Sequence, residues 1–205
     1  MPIRLVKPSE NAPKTQPTIL LFYRASCIFS NFHPAEFWVE INGEKVYFNC
    51  SEQYFMYQKA MSVGHTESGE RILKMVKPLL MKKAGRKVKM DQKALKKWSE
   101  TSSETMKTGL IAKFSQNPEL LQNLFRTRNM ILAEASPRDK LWGIGLGVSN
   151  KLSEDPKTWK GSNKLGMVLG EVRDELWEKE EFRKIRVTVE KEGISKRCRK
   201  LEKLQ

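Results

Sequence analysis

The chain has 205 residues, a formal net charge of +14 and a hydrophobic content of 39%. This length is typical of one domain that buries enough surface to fold without a disulfide or a metal. The positive charge favours polyanionic partners, chiefly nucleic acid or phosphorylated metabolites. No apolar run approaches the ~20 residues that span a bilayer, so we expect no membrane-spanning segment and no membrane partner.

The cysteines and histidines are too few and too scattered for a zinc site. Cys27, Cys50 and Cys198 form no CxxC pair, and His33 and His65 are the two histidines. Because no disulfide framework, ligand set or signal peptide is recognisable, we expect a reduced, intracellular protein of the cytoplasm or nucleus. We also expect no metal and no cofactor.

The first elements follow from turn residues and alternating apolar residues. Four prolines among polar residues predict a flexible N-terminal arm over residues 1–17. A first strand is predicted over residues 18–24. Residues 37–41 and 44–48 predict a hairpin around Asn42-Gly43, because this pair accepts the positive φ angles of a type I′ turn.

Helix signals dominate the rest of the chain. Ser51 is predicted to cap one helix, and Pro78 suits the first position of a second helix. Asn117 precedes a helix that begins at Pro118, and residues 129–134 predict a short buried strand. Asn163 is predicted to cap a long helix. Strands that come first and helices that come later are typical of an α+β fold.

These signals predict one compact, mostly helical domain with a small sheet over residues 18–182. A basic C-terminal tail is expected over residues 183–205. Charge is concentrated in two stretches. The first basic block, Lys74 to Lys97, has ten basic residues and one acid, and the second basic block, Phe182 to Gln205, has nine and three. Each block is either a solvated face or a surface that contacts the phosphate backbone of a nucleic acid.

Two glycine-containing loops have open interpretations. Residues 142–147 contain three glycines, but Val148 occupies the place of the third glycine of a dinucleotide-binding loop. These glycines either let a ligand approach the backbone or form a tight loop. Residues 161–164 precede a helix and form either an ordinary cap or an anion site.

Four single residues have structural explanations when each is taken alone. Glu52 suits the first turn of a helix because it complements the helix dipole. Asp139 suits a turn, and Trp98 and Trp142 suit a hydrophobic core.

Seven short motifs taken together carry more information than any of these residues alone. In chain order they are Phe29-Ser30-Asn31-Phe32, Ser51-Glu52-Gln53-Tyr54-Phe55 with Gln58-Lys59-Ala60, Gly85-Arg86, Trp98, Lys113-Phe114, Asp139-x-x-Trp142-Gly143, and Gly161-x-Asn163-x-Leu165-Gly166 with Glu171-x-Arg173. Their order and spacing, from about residue 20 to residue 180, resemble the NADAR superfamily of YbiA-like proteins.

The resemblance implies an N-glycosidase that needs no metal. It implies that Glu52 and Asp139 are catalytic. We assign to Glu52 the activation of water or the stabilisation of an oxocarbenium-like state, and to Asp139 the holding of ribose hydroxyls or assistance to the leaving base. The expected substrate-binding residues stack on the base, line the pocket or hold phosphate; they are Asn31, Phe32, Lys59, Arg86, Trp98, Trp142, Gly143 and Asn163.

Members of the superfamily act on two kinds of substrate. The charge of +14 favours ADP-ribosylated guanine in nucleic acid over a small phosphate ester. The alternative is a riboflavin-pathway ribosylamino-pyrimidine phosphate. A second alternative is a non-catalytic module that binds ADP-ribose or nucleic acid, and the intact Glu52 and Asp139 argue against it. Gln53 and Ile144 depart from the pattern of relatives, and these departures bear on the fine choice of substrate more than on the chemistry.

Overall fold

The computed structural model describes residues 3–9, 13 and 16–204. They fall into two compact units. The terminal unit consists of Met1–Ser30 and Pro118–Gln205, and the central unit consists of Asn31–Asn117.

The described part of the chain contains more helices than strands, and the helices contain more residues. The described part of the chain contains, in order, β1 (Ile3–Val6), β2 (Thr18–Phe22), β3 (Phe37–Ile41), β4 (Glu44–Phe48), α1 (Ser51–Met61), α2 (Thr66–Leu73), α3 (Pro78–Lys87), α4 (Gln92–Ser115), α5 (Pro118–Arg126), β5 (Met130–Glu134), α6 (Lys164–Glu178), α7 (Arg183–Glu190) and α8 (Ile194–Glu202). Three short 3-10 helices cover Lys151–Glu154, Pro156–Thr158 and Glu180–Phe182. The predicted α+β class is confirmed.

A three-stranded sheet forms the centre of the terminal unit. Its order is β1-β2-β5, with β2 antiparallel to β1 and parallel to β5. Leu20, Leu21 and Phe22 are fully buried, which is expected of a central strand whose two faces are both covered. The predicted strands that became β2 and β5 are therefore confirmed.

The N-terminal arm is not flexible throughout. Residues 3–6, inside the predicted arm, form β1 and pair with β2 from Ile3↔Phe22 to Val6↔Ile19. Ile3 is buried, so pairing with β2 provides both backbone hydrogen bonds and apolar burial for this segment. Residues 1, 2, 10–12, 14 and 15 lie outside the described residues, and the prediction of an arm is not assessed there.

The predicted C-terminal tail is part of the folded terminal unit. It forms α7 and α8, which contact α5, and α8 also contacts β1. Val189, Cys198 and Leu201 are buried along these two helices. The tail is thus held by an apolar stripe that its high charge conceals in the sequence.

The hairpin of the central unit forms as predicted. β3 and β4 are antiparallel, and Asn42 and Gly43 have φ angles of 53° and 83°. On the edge of β3 that β4 does not pair with, the backbone of Trp38 bonds to a side-chain amide. The Trp38 N–H donates to Oε1 of Gln116 at 2.9 Å, and Nε2 of Gln116 donates to the Trp38 carbonyl at 2.8 Å.

Helix α1 packs against α2, α3 and α4 in the central unit. Two glycines permit close approach: a Cβ on Gly85 would lie 2.1 Å from the sulfur of Met56, and one on Gly109 would lie 2.3 Å from the ring of Tyr54. These contacts fix α1, and therefore the residues in its first turn, against two neighbouring helices.

No helix in the described ranges is both long enough and apolar enough to span a membrane.

Candidate active site

The predicted site residues divide between the two units. The central unit contains Asn31, Phe32, Glu52, Lys59, Arg86 and Trp98, and the terminal unit contains Asp139, Trp142, Gly143 and Asn163. Each group is described within its own unit.

The start of α1 places Glu52 beside Asn31. Helix α1 begins at Ser51 with Cys50 in the cap position, so the prediction that Ser51 is the cap residue is wrong by one position. No side chain caps this helix; instead the Glu52 N–H donates to the Asn31 carbonyl at 3.0 Å. A backbone carbonyl has taken the role that a cap side chain usually has.

Glu52 and Asn31 are both buried, at 4% and 8% exposure. Among the described residues, the buried Oδ1 of Asn31 has no hydrogen-bond partner. A buried polar atom without a partner costs free energy, and such atoms concentrate at sites that bind a ligand. The pair therefore combines a carboxylate in a dry environment with an acceptor that a ligand hydroxyl or amine can satisfy.

The Cys50 thiol reports on the charges around the first turn of α1. Its pKa is raised to about 11, chiefly by burial and also by the negative charge of Glu52. The positive charge of Lys113 lowers it, as does a hydrogen bond from the backbone of Gln53. Cys50 is thus protonated and not a nucleophile at neutral pH, and Glu52 and Lys113 both lie near it.

Lys113 is a site candidate to which the sequence analysis assigned no role. It is completely buried, and its Nζ lies 5.2 Å from the centre of the Phe114 ring. The spacing of the sequence offered a signal for this position. Met106, Leu110 and Phe114 mark the buried face of α4. Lys113 follows Leu110 by three residues and therefore lies on that face. A buried lysine near a buried carboxylate is a frequent feature of active sites.

Aromatic rings line the same unit. Trp98 is half-buried and packs on Phe55, with ring centres 5.1 Å apart. Phe55 follows Glu52 by three residues on α1, so it lies on the same side of the helix. The Nζ of Lys82 lies over the Phe32 ring, 5.8 Å from the ring centre.

Lys59 and Arg86 form a positive pair where α1 packs against α3. Nζ of Lys59 donates to the Gly85 carbonyl at 3.0 Å. Burial lowers the pKa of Lys59, and the neighbouring charge of Arg86 lowers it further. Arg86 is exposed, so one cation is positioned and the other is accessible to an anionic group.

Asp139 organises the loop that contains Trp142. Its Oδ1 accepts hydrogen bonds from the N–H groups of Leu141 at 3.2 Å and Trp142 at 2.9 Å. This is an Asx turn, in which a side-chain oxygen satisfies backbone donors two and three residues later. The structural interpretation of Asp139 as a turn residue therefore accounts for one of its two oxygens.

Gly143 permits a close backbone approach inside this loop. A Cβ there would lie 2.9 Å from the carbonyl oxygens of Asp139 and Glu134, and one on Gly161 would lie 2.3 Å from the carbonyl of Gly143. The close neighbours are the protein's own backbone, so these glycines form a tight loop.

Asn163 supports this loop and does not cap α6 with its side chain. It occupies the cap position with a left-handed φ of 51°. Its Oδ1 accepts from the Glu134 N–H at 3.1 Å and its Nδ2 donates to the Leu132 carbonyl at 2.9 Å. Because both ends of the amide bind β5, the side chain supports the loop, and its predicted contact with substrate stays a prediction.

The two departures from the pattern of relatives have structural roles. Gln53 is buried; its Nε2 bonds to the carbonyls of Ile72, Leu73 and Met75, and its Oε1 accepts from the Asn49 N–H. Ile144 is buried in a core cluster of the terminal unit. Both residues therefore have a role in holding the fold together, and their bearing on substrate choice stays a prediction.

Among the residues described, no group of three or more histidine, cysteine, aspartate or glutamate side chains could hold a metal ion.

Comparison with known proteins identifies the family. Residues 21–177 match the NADAR domain, so the chain belongs to the NADAR domain family. It is 46% identical to protein irg-1 of Caenorhabditis elegans in an alignment of 193 positions that covers 89% of this chain and 91% of irg-1.

Two further relatives bear on activity and fold. The chain is 36% identical to N-glycosidase R617 of Acanthamoeba polyphaga mimivirus over 149 residues, covering 72% of this chain and 86% of R617. It resembles the NMR structure of the Escherichia coli protein YbiA with a TM-score of 0.61 and 28% identity, over 83% of this chain and 92% of YbiA. The name of R617 states the class of enzyme that the sequence predicts, a hydrolase of N-glycosyl bonds.

Proposed function

We propose that this chain is an N-glycosidase that hydrolyses a ribose C1′–N bond and that its preferred substrate is ADP-ribosylated guanine in nucleic acid. Membership of the NADAR family and the names of its relatives support the class of enzyme. The single observation that carries the chemistry is the buried carboxylate of Glu52, held beside Asn31 at the start of α1.

Glu52 acts as the general base in this proposal. A water molecule attacks C1′ of the ribose while Glu52 accepts its proton, and the electron pair of the C1′–N bond moves to the base nitrogen, which is then protonated. The transition state has oxocarbenium character, so a nearby carboxylate also stabilises its positive charge. Burial makes that electrostatic stabilisation stronger than it is in water.

Lys113 is proposed to position Glu52 and to balance its charge. Two opposite charges that act on the same buried thiol support this role. A nearby cation favours the ionised form of a carboxylate, which the general base requires. Changing Lys113 to Met should raise the pH at which the acidic limb of kcat/KM falls, whereas loss of fold would lower activity at every pH.

Asp139 is proposed to accept a hydrogen bond from a ribose hydroxyl, because its turn places the carboxylate in the same loop as Trp142. Asp139→Asn retains an acceptor for the turn and removes the charge. A loss of tenfold or more in kcat/KM is expected if the carboxylate contacts substrate, on the scale of a charged hydrogen bond. Unchanged kcat/KM would reduce Asp139 to a turn residue.

The preference for nucleic acid depends on the first basic block. Of its ten basic residues, all but Lys82 are exposed. The alternative substrate, a ribosylamino-pyrimidine phosphate, needs one or two cations, and the Lys59–Arg86 pair supplies that number. The alternative therefore predicts that the cations of the first basic block other than Arg86 do not affect turnover.

The test is a product assay with both substrates, run on wild type and on Glu52→Gln. Release of ADP-ribose from a guanine-modified oligonucleotide supports the preferred substrate, and release of base from the pyrimidine phosphate alone supports the alternative. Glu52→Gln should lose 10²-fold or more in kcat, about the scale for a general acid–base group. The matched control is Glu70→Gln, an exposed change on α2 that should retain wild-type kcat.

Failure of wild type to turn over either substrate, with retained binding of ADP-ribose, would support the non-catalytic alternative. Near-wild-type turnover by Glu52→Gln would overturn the assignment of the base.

A further inference from the structure

A groove of 290 Å³ lies beside Trp98 in the central unit. Its volume is close to the lower limit of ~300 Å³ that is typical of small-ligand sites. Trp98 lines the groove, and its indole also packs on Phe55, so the ring is braced by a neighbouring aromatic side chain. A braced, half-buried indole offers a surface on which a planar base can stack at little loss of side-chain freedom.

Two cations line the same groove. Lys93 and Lys97 are one helical turn apart on α4, and both are exposed. Residues four apart on a helix point to the same side, so the two ammonium groups can converge on one anionic group. The acid in the lining, Asp91, accepts the Ala94 N–H at 2.7 Å, so its carboxylate is engaged at the start of α4.

We infer that this groove binds one nucleotide next to the modified guanine, with its base on Trp98 and its phosphate on Lys93 and Lys97. The inference rests on the proposed function and adds to it the polymeric nature of the substrate. A single-stranded nucleic acid matches this lining, because each of its units carries a planar base for the indole and one phosphate for the two ammonium groups. Free ADP-ribosylated nucleotide has no neighbouring unit and leaves the groove empty.

The test compares two substrates that carry the same bond. One is a single-stranded oligonucleotide with one ADP-ribosylated guanine, and the other is the same adduct on a mononucleotide. Lys93→Gln/Lys97→Gln should lower kcat/KM on the oligonucleotide by about tenfold, as expected for lost charged contacts, and leave the mononucleotide within twofold. The matched control, Lys151→Gln/Lys157→Gln, removes the same charge from exposed positions outside the groove and outside both basic blocks and should have a smaller effect.

A modified substrate tests the stacking contact. Two substrates are compared, one with an abasic site on the 5′ side of the guanine and one with it on the 3′ side. The abasic site on the side that occupies the groove should lower kcat/KM for wild type by roughly fivefold or more, because the stacked base is lost. Equal rates with both abasic substrates and the intact one would overturn the stacking contact. Equal losses on the mononucleotide and the oligonucleotide in Lys93→Gln/Lys97→Gln would assign the groove to ADP-ribose itself and also overturn the inference.

Binding of an unmodified oligonucleotide separates this inference from the proposed function. If no substrate is cleaved but Lys93→Gln/Lys97→Gln binds the oligonucleotide about tenfold more weakly than the control variant, the groove is supported and the enzyme assignment is wrong. If wild type cleaves both substrates and the groove variant matches the control variant, the enzyme assignment is supported and the groove is overturned.

Discussion

The two basic blocks have similar composition but different roles in the fold. In the first basic block nearly every lysine and arginine is exposed to solvent. In the second basic block several cations are engaged within the terminal unit: Lys200 pairs with buried Glu192, and Arg186 donates to the Trp177 carbonyl at 2.6 Å. Arg197 donates to the Arg128 carbonyl at 3.3 Å.

A buried acid makes the strongest of the links that distinguish the second basic block. Glu192 accepts from Nε of Arg126 at 2.8 Å and from Nη2 at 3.1 Å, so an arginine of α5 holds the segment between α7 and α8. The first basic block has one acid, Asp91, and it is exposed. A count of charges therefore identifies a surface for polyanions only when the cations are not already used to hold helices together.

The largest expected effect is on stability, from a change in the second basic block. Glu192→Gln leaves Arg126 buried with no opposite charge, which should lower the free energy of unfolding by about 3–5 kcal/mol. Urea denaturation measures this loss. The matched control, Glu190→Gln, changes an exposed acid of α7 and should stay within about 0.5 kcal/mol of wild type. Equal midpoints for the two variants would remove the contrast between the blocks.

The second prediction concerns binding to nucleic acid. Wild type should bind an oligonucleotide with a slope of log affinity against log salt between about −3 and −6. Changing Lys83, Lys87, Lys89 and Lys96 to Gln should flatten this slope by up to ~3–4 because counterion release is lost at each phosphate contact. The same number of changes in the second basic block, at Arg183, Lys184, Lys196 and Arg199, should flatten it by less. A wild-type slope near −1 would indicate that the first basic block is only a solvated surface.

The third prediction concerns pH. The hydrogen bond from Arg126, assisted by Lys200 and opposed by burial, lowers the pKa of Glu192 to about 2. A glutamate in an unfolded chain titrates near ~4.3, so the stabilisation is complete above that pH and is lost as the pH falls towards 2. The difference in unfolding free energy between wild type and Glu192→Gln should therefore narrow between about pH 5 and pH 2. A difference that is constant over this range would show that the ion pair is not its source.

The smallest expected effect is that of chelation, which should be none. Phosphate contacts made directly by lysines need no bridging cation, and hydrolysis by Glu52 needs no metal-bound water. Excess EDTA should leave both oligonucleotide affinity and kcat unchanged. Loss of kcat that a divalent ion restores would identify a metal requirement in the chemistry.

Local signals predicted most of the fold. The Asn42-Gly43 turn, Pro78 at the start of α3 and Pro118 at the start of α5 each act within a few residues, and all three elements formed. β1 was missed because its stability comes from β2, which begins twelve residues after β1 ends. The C-terminal helices were predicted as a tail outside the domain, because a count of charges does not show that Glu192 is buried and paired.

Some residues of the candidate site could be selected from the sequence because they belong to motifs in a recognisable order. Glu52 and Trp98 were selected from motif order, and the structure adds their burial and neighbours. The role of Asn163 was not predictable, because its amide binds a strand about thirty residues earlier in the chain. Lys113 was part of a motif but was given no role, since a lysine is normally assigned to solvent.

The amide of Gln116 has a consequence for solution behaviour. An unpaired strand edge is a template on which a second chain can add a strand, and that addition is the first step of sheet-based aggregation. By occupying the N–H and carbonyl of Trp38, the Gln116 side chain removes a docking point for a foreign strand beside an exposed tryptophan. One glutamine thus makes this edge of the hairpin a poorer template for strand addition at high protein concentration.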